Sequence, residues 1–325
     1  MINKAIQFEA KGKAGFIEIG EPEVPGPYDV LMRTKFSGIT NGTERHMLMS
    51  DFGPTPYPKR VGYQQVGIIE ALGSEVKGFA LGDKVYYGNF VGHAAWNIVR
   101  VMPDDPTDYR SHLLVKIPEG IELKLASLSG TAGVALRAVR RFRITAGQNV
   151  WVVGAGLIGQ FVAQAARAAG ARVMISDIRD DRLELARQCG AHRVFNAKHA
   201  DFWKSVEETG PFHCIIDAAG AKDFLDDILQ NFKKVMRPRS VIGLMAIRNT
   251  VNLPWGILHT PEASIEVSCH FSRDDLRVLY ELILLGLIRI APLVTLERPW
   301  QEAIDVYDLL RDQPGDQLGM IFDWM

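Results

Sequence analysis

Asn149 to Gln160 reads NVWVVGAGLIGQ. Val150, Trp151, Val152 and Val153 make a short apolar run, the pattern of a strand buried on both faces. Gly154, Gly156 and Gly159 follow at G-x-G-x-x-G spacing, and Phe161, Val162, Ala165 and Ala166 continue at helical period. Each glycine has a physical job: a tight turn, bare backbone for a diphosphate to lie against, and close packing of helix on strand. The helix start adds unpaired N–H groups and a partial positive charge. A glycine triplet alone fits any tight strand–helix turn. Here a second strand, Arg172 to Ser176, follows and runs into Asp177, a carboxylate placed to bind ribose hydroxyls. The stretch therefore predicts a dinucleotide site on Gly154, Gly156, Leu157, Ile158, Gly159 and Asp177. Asp177 favours NAD, because a carboxylate repels the 2′-phosphate of NADP. Arg179, two residues on, is a group that can pair with that phosphate and pulls the other way.

Downstream of this stretch, strands and helices alternate. Strands are expected at 149–153, 172–176, 193–196, 212–217, 240–246 and 264–270, with helices at 157–169, 180–189, 200–208 and 222–236. Such alternation implies a parallel sheet wrapped by helices through right-handed crossovers. Gly190 after Cys189 is a C-terminal glycine stop. Helices at 272–286 and Trp300–Leu310 and strands at Leu293–Leu296 and Gly319–Phe322 close the chain. Upstream, residues 1 to about 120 are β-rich. Strand-like runs at Ala5–Phe8, Val30–Phe36, Gln65–Ala71, Lys84–Tyr87 and Ala95–Val101 are separated by Gly/Pro punctuation. Asp104–Arg110 reads as a polar surface loop, and the period changes near Leu123 into a helix, Leu125–Arg141, ending in basic residues.

The 325 residues suffice for two sizeable cores. A net charge of −1 gives no signal for nucleic acid or an anionic membrane. Three scattered cysteines, Cys189, Cys214 and Cys269, argue against a disulfide framework or a cysteine zinc cluster. MINKAIQFEA has no apolar core of signal-peptide length, and the most apolar stretch, Val278–Leu287, is short and interrupted by Glu281. A cytoplasmic protein is expected.

The order of pieces, with FSGI and GTE (36–39, 42–44), VGYQQVG (61–67), GDKV (82–85), GAGLIG (154–159), DAAG (217–220) and PLVT (292–295), resembles the medium-chain dehydrogenase/reductase superfamily over nearly the whole chain. It is closer to the alcohol and polyol dehydrogenase branch than to the quinone and enoyl reductases. The resemblance implies an α/β fold: a GroES-like β-barrel catalytic domain (1–122, completed by 272–325 at the C-terminus) and a Rossmann doubly wound parallel sheet that binds NAD (123–271). It adds Ala218 of DAAG to the cofactor site. It also implies a homodimer or homotetramer, often joined through edge strands of the Rossmann sheets.

The metal ligands of that family are missing. Zinc-dependent members read roughly CGTDLH at the first ligand, where this chain has Asn41-Gly42-Thr43-Glu44-Arg45-His46. The second ligand lies in GHE, here Gly62-Tyr63-Gln64, and the third falls near Gly130. An amide, a phenol and a glycine do not make the S, N and O donor set that zinc requires. No metal is expected, and ordinary side chains must polarise the substrate oxygen.

On the resemblance, Thr43 and His46 match a hydroxyl–histidine proton relay. Tyr63, or else Thr43, would hold the oxygen of a secondary alcohol; His46 would pass its proton to solvent; Asn41 and Gln64 would orient the oxygen. Tyr63 reads nearly as well as core filling the hole left by zinc, Thr43 as a helix cap, and His46 as a surface residue. His93 and Trp96, with Tyr86, Tyr87 and Phe90, line a substrate cleft or pack the barrel. Arg137 binds a polar substrate group or makes a salt bridge. His270 lies where nicotinamide and substrate meet in this fold, or packs at a strand end.

The leading function is zinc-independent, NAD-dependent oxidation of a secondary alcohol or reduction of its ketone, on a polyol, sugar or cyclitol. A hydroxyethyl group on a tetrapyrrole is the alternative substrate, since SGI-x-x-GTE also resembles bacteriochlorophyllide dehydrogenases. A quinone or enone reductase and a redox-inactive NAD(H)-binding protein are the competing functions.

Overall fold

The computed structural model describes residues 3–101, 113–221, 223–253 and 255–325. The chain divides into two compact units. One comprises Met1–Gly130, Phe271–Leu284 and Leu293–Met325, and the other Thr131–His270 and Leu285–Pro292.

The second unit is built on the valine run. Asn149–Val153 lies at the middle of a six-stranded sheet ordered 193–196, 172–177, 149–153, 212–217, 236–244, 264–267. Every pairing in it is parallel. The strand order reverses between Asn149–Val153 and Phe212–Asp217, the place where a doubly wound sheet opens a crevice for a ligand. Both faces are covered, so Val150, Trp151 and Val152 are buried. The helix Leu157–Ala168 buries nine residues, including Phe161, Val162, Ala165 and Ala166.

Two boundaries in this unit differ from expectation. The strand expected at 240–246 runs from Met236 to Leu244, because the next two N–H groups, of Met245 and Ala246, both donate to the Asp217 carbonyl. The final strand stops at Val267, which pairs with Leu244, the last residue of its neighbour. Beyond it no ladder partner is found among the described residues, and His270 leaves the sheet with φ +61°.

The first unit carries a seven-stranded sheet. Its path runs 294–299, 319–323, 29–39, 65–72, 84–88, 113–116, with Trp96–Arg100 also paired to Asp29–Ile39. Gly319–Asp323 pairs antiparallel with residues 36–39, so the C-terminal strands rejoin this unit. A smaller sheet joins Lys13–Glu18, Lys4–Ala10 and Lys59–Arg60. Lys13–Glu18 and Leu113–Lys116 are strands not anticipated from the sequence, and Asp104–Arg110 lies outside the described residues. The expected helix Leu125–Arg141 is two helices, Leu123–Ala126 and Ser129–Arg141. At the break the Ser127 hydroxyl turns back to donate to the Lys124 carbonyl (2.6 Å). The Ser127 carbonyl there packs so closely on Gly38 that a Cβ on that glycine would overlap it.

Candidate active site

The glycine loop assigns one task to each glycine. Gly154 has φ +100°, and a Cβ there would lie 2.9 Å from the Ala219 backbone nitrogen and Cβ. Its N–H donates to the Ser176 carbonyl (2.7 Å). Gly159 underlies the helix so closely that a Cβ would overlap the Gly154 carbonyl oxygen. Gly156 is different. It precedes the helix with extended backbone (φ −65°, ψ 177°), and a Cβ there meets no protein atom within 4 Å. That open space, at the start of a twelve-residue helix, fits a diphosphate. Leu157 is buried and Ile158 half-buried in the first turn, while the Ala218 N–H ties the DAAG loop to the Val153 carbonyl (2.9 Å).

Asp177 braces the same loop. Its Oδ2 accepts the Ala155 N–H (2.6 Å), and its Oδ1 accepts those of Ile178 (2.8 Å) and Arg179 (3.0 Å). A carboxylate offers about four acceptor sites, so capacity remains for a ribose hydroxyl. The Arg179 guanidinium is held two-pronged by Asp181, Nε to Oδ1 at 3.0 Å and Nη2 to Oδ2 at 2.8 Å. This pairing keeps the Asp181 carboxyl below its usual range. Gln160 completes the brace, its amide donating to the carbonyls of Ala155 (3.2 Å) and Arg182 (2.8 Å).

In the first unit, helix Asn41–Met49 carries the relay candidates. Thr43 is half-buried. His46 points Nδ1 at Asp51 Oδ2 (3.3 Å) and packs on the Phe52 ring (3.8 Å between centroids). Burial pushes its pKa down, against the pull of Asp51, so the ring is a neutral base near pH 7. The Asn41 amide donates to the carbonyls of Gln317 (3.0 Å) and Leu318 (2.8 Å), leaving its Oδ1 buried and without a donor. Tyr63 is buried with its ring 5.0 Å from Phe90 and 6.3 Å from Phe271. Gln64 is fully buried and donates to Thr40 Oγ1 (2.9 Å). The Tyr86 hydroxyl donates to the Tyr63 carbonyl (3.1 Å), and Asn89 donates to the Tyr87 hydroxyl (2.6 Å). Tyr86 and Tyr87 are therefore barrel packing, whereas Phe90 is exposed beside Tyr63.

These residues do not fit the zinc of the related enzymes. Asn41, Tyr63 and Gly130 offer an amide, a phenol and no side chain, not the thiolate, imidazole and carboxylate donors that zinc takes. Among the described residues, no group of three His, Cys, Asp or Glu side chains is placed to hold a metal.

The remaining candidates lie elsewhere. Trp96 opens its strand, bonded through its backbone to Asn3 and covered by the Arg33 guanidinium (5.4 Å to the ring). Arg137 is half-buried on Ser129–Arg141, and His270 is half-buried outside the sheet. His93 is fully buried between Ser37 and Glu44. Both of its ring nitrogens are engaged by these two side chains inside the barrel, the packing arrangement of the two readings. Its partners Ser37 and Glu44 lie in the FSGI and GTE stretches, whereas Tyr307 and Trp324, which bond to Glu44 and Ser37 in turn, carry no motif and are reached only through the fold.

Two family descriptions match the chain: Zinc-binding dehydrogenase over residues 158–284 and Alcohol dehydrogenase GroES-like domain over residues 26–100. L-threonine 3-dehydrogenase of Deinococcus radiodurans is 32% identical over 275 residues, 78% of each chain. The Aspergillus clavatus protein described as "Probable D-xylulose reductase A" is 28% identical over 331 residues, 90% of this chain and 89% of that one. Among solved structures, an E. coli CFT073 alcohol dehydrogenase complexed with NADH has a TM-score of 0.85 at 22% identity, covering 99% of each chain. At that identity the structural likeness speaks to the fold alone.

Proposed function

From the premise that this chain belongs to the medium-chain alcohol and polyol dehydrogenase family, an alcohol dehydrogenase-type oxidoreductase using NAD(P), we propose a zinc-independent enzyme. It exchanges a hydride between NAD and a secondary alcohol or its ketone, on a polyol, sugar or cyclitol. The observation that carries this reading is the open, braced nucleotide loop in a chain whose metal-ligand positions are Asn41, Tyr63 and Gly130. The relatives named threonine 3-dehydrogenase and xylulose reductase are both named for an oxidation or reduction.

The nicotinamide, when bound, supplies the hydride acceptor or donor. Gly154, Gly156, Leu157, Ile158, Gly159 and Ala218 hold the dinucleotide, and Asp177 takes the ribose. NAD is favoured over NADP because Asp177 is anionic and Asp181 already occupies Arg179. Tyr63, or else Thr43, holds the substrate oxygen, and the neutral His46 ring receives the proton for release to solvent. The donorless Asn41 Oδ1 accepts from a substrate hydroxyl, and Gln64 helps to orient the oxygen. Trp96, Arg137 and His270 contribute to substrate selection. The enzyme works as a homodimer or homotetramer in the cytoplasm.

The test is a panel of secondary alcohols with NAD and with NADP, before and after chelation, together with metal analysis. Turnover of a polyol or sugar with NAD that survives chelation is expected. Stoichiometric zinc whose removal abolishes turnover refutes zinc independence, and cofactor binding without hydride exchange refutes the enzyme. Tyr63→Phe should lower turnover by about 100-fold or more with NADH binding unchanged. Near-normal turnover would remove Tyr63 from the mechanism.

A further inference from the structure

We propose that Glu44 and His93 form a buried clamp that positions the substrate-oxygen end of the site. The clamp holds the start of the helix bearing Thr43 and His46 against the segment Gly62–Gln64. The proposal deepens the function given above and rests on it for what the clamp serves, though not for whether it exists.

His93 is 0% exposed and Glu44 1%. His93 Nε2 lies 3.1 Å from Glu44 Oε2, and its Nδ1 lies 2.8 Å from Ser37 Oγ. On one side the clamp grips the helix start: Glu44 Oε1 accepts the Thr40 N–H (2.7 Å), and Thr40 Oγ1 in turn accepts from Gln64 Nε2 (2.9 Å). On the other it grips the chain before Tyr63. Gly62 has φ +93°, and a Cβ there would run into the His93 ring. The N–H groups of Gly92 and His93 donate to the carbonyls of Gly62 (3.0 Å) and Val61 (3.1 Å). The C-terminal return closes the cluster, with the Tyr307 hydroxyl donating to Glu44 Oε2 (2.5 Å) and Trp324 Nε1 to Ser37 Oγ (2.8 Å).

Donor accounting orders the protons. Trp324 donates to Ser37, and Ser37 donates to Nδ1 of a neutral His93. Its Nε2–H donates to a Glu44 carboxylate that also takes the Tyr307 O–H and the Thr40 N–H. A doubly protonated ring would aim two N–H donors at Ser37 Oγ and Glu44, and would leave the Ser37 proton no acceptor among the contacts it makes. Burial and the Glu44 charge both hold the Tyr307 phenol protonated. A network satisfied in this way fixes one arrangement of its members.

The experiment compares His93→Ala, His93→Gln and Glu44→Gln with the wild type in the full-length protein. It reads amide hydrogen exchange, NADH binding and, on the best alcohol of the panel, kcat and KM separately. In His93→Ala, exchange at Thr40 and Gly92 should quicken by about tenfold while strand 65–72 keeps its protection. kcat should fall by about 100-fold with NADH affinity unchanged. His93→Gln, whose amide can replace Nε2–H toward Glu44, should recover much of both, and Glu44→Gln should loosen Thr40. Uniform loss of protection across the barrel, or kcat within twofold of wild type in His93→Ala, overturns the clamp. If the wild type oxidises no alcohol, the functional reading fails, and exchange at Thr40 and Gly92 still decides the clamp: local quickening supports it, none overturns it.

Discussion

Gly156→Ala separates binding from folding. The substituted residue keeps a backbone conformation open to any amino acid (φ −65°, ψ 177°), and its new methyl meets no protein atom within 4 Å. Alanine is a poorer helix cap than glycine by up to about 1 kcal/mol, but restricts the unfolded chain by about 0.4–1 kcal/mol, so the two effects nearly cancel. Tm should stay within about 3 °C of wild type. The methyl instead occupies the space assigned to the diphosphate. Forcing that group off the helix start forfeits one charge-assisted hydrogen bond, about 1.5–3 kcal/mol, which is a rise of roughly 10- to 150-fold in the Kd for NADH. Gly159→Ala is the control, because its methyl would overlap the Gly154 carbonyl and must lower Tm as well. Fluorescence titration with NADH and a thermal melt read both quantities. Gly156→Ala binding NADH at wild-type affinity would falsify the assignment of that space to the diphosphate.

Three further outcomes follow from single contacts. Asp177→Asn removes the charge facing the 2′ position, so the preference for NADH over NADPH in binding should shrink by about tenfold or more; an unchanged ratio refutes the role of Asp177. Arg248→Ala leaves the fully buried Asp217 carboxylate with the N–H groups of Ala219 (3.0 Å) and Gly220 (2.8 Å) but no cation. This should cost about 2–3 kcal/mol and lower Tm by roughly 5–10 °C, and a melt within a degree of wild type contradicts it. His46 should titrate by NMR below the ordinary 6.5, because burial outweighs Asp51. Its folded pKa is depressed, so its contribution to stability is full above 6.5 and is lost as pH falls through the lower folded value. A midpoint at or above 6.5 refutes that sign.

The layout of the nucleotide loop was legible because strand, glycines, helix and Asp177 lie within one βαβ segment, although the neighbour that leaves no room for a side chain at Gly154, Ala219, comes from the distant DAAG loop. Gly319–Asp323 was recognisable as a strand, and its place in the first sheet came from resemblance. The clamp was not legible. His93 meets Ser37 across 56 residues and Glu44 across 49, and Tyr307 and Trp324 reach the cluster from 263 and 287 residues away. No periodicity encodes such meetings, so the sequence left His93 open between lining a cleft and packing the barrel. The break at Ser127 escaped for the same reason, since local helix pattern continues through it and the close approach of Gly38 does not show in sequence. Asn41 was expected to orient the substrate oxygen; that its amide nitrogen is anchored on Gln317 and Leu318, 276 and 277 residues away, leaving Oδ1 for that role, could not be read locally.

Strand Gly319–Asp323 lies between Val294–Pro299 and Asp29–Ile39, so it is an interior strand of the sheet it completes. During synthesis on the ribosome, the first half of the early strand Asp29–Ile39 is covered once Trp96–Arg100 has been made, but residues 36–39 must wait for Gly319–Asp323, whereas the parallel sheet can close first from shorter-range crossovers. A nascent chain stalled before residue 319 would expose that uncovered edge to other chains, which makes the window before its arrival the one in which chaperone protection matters most.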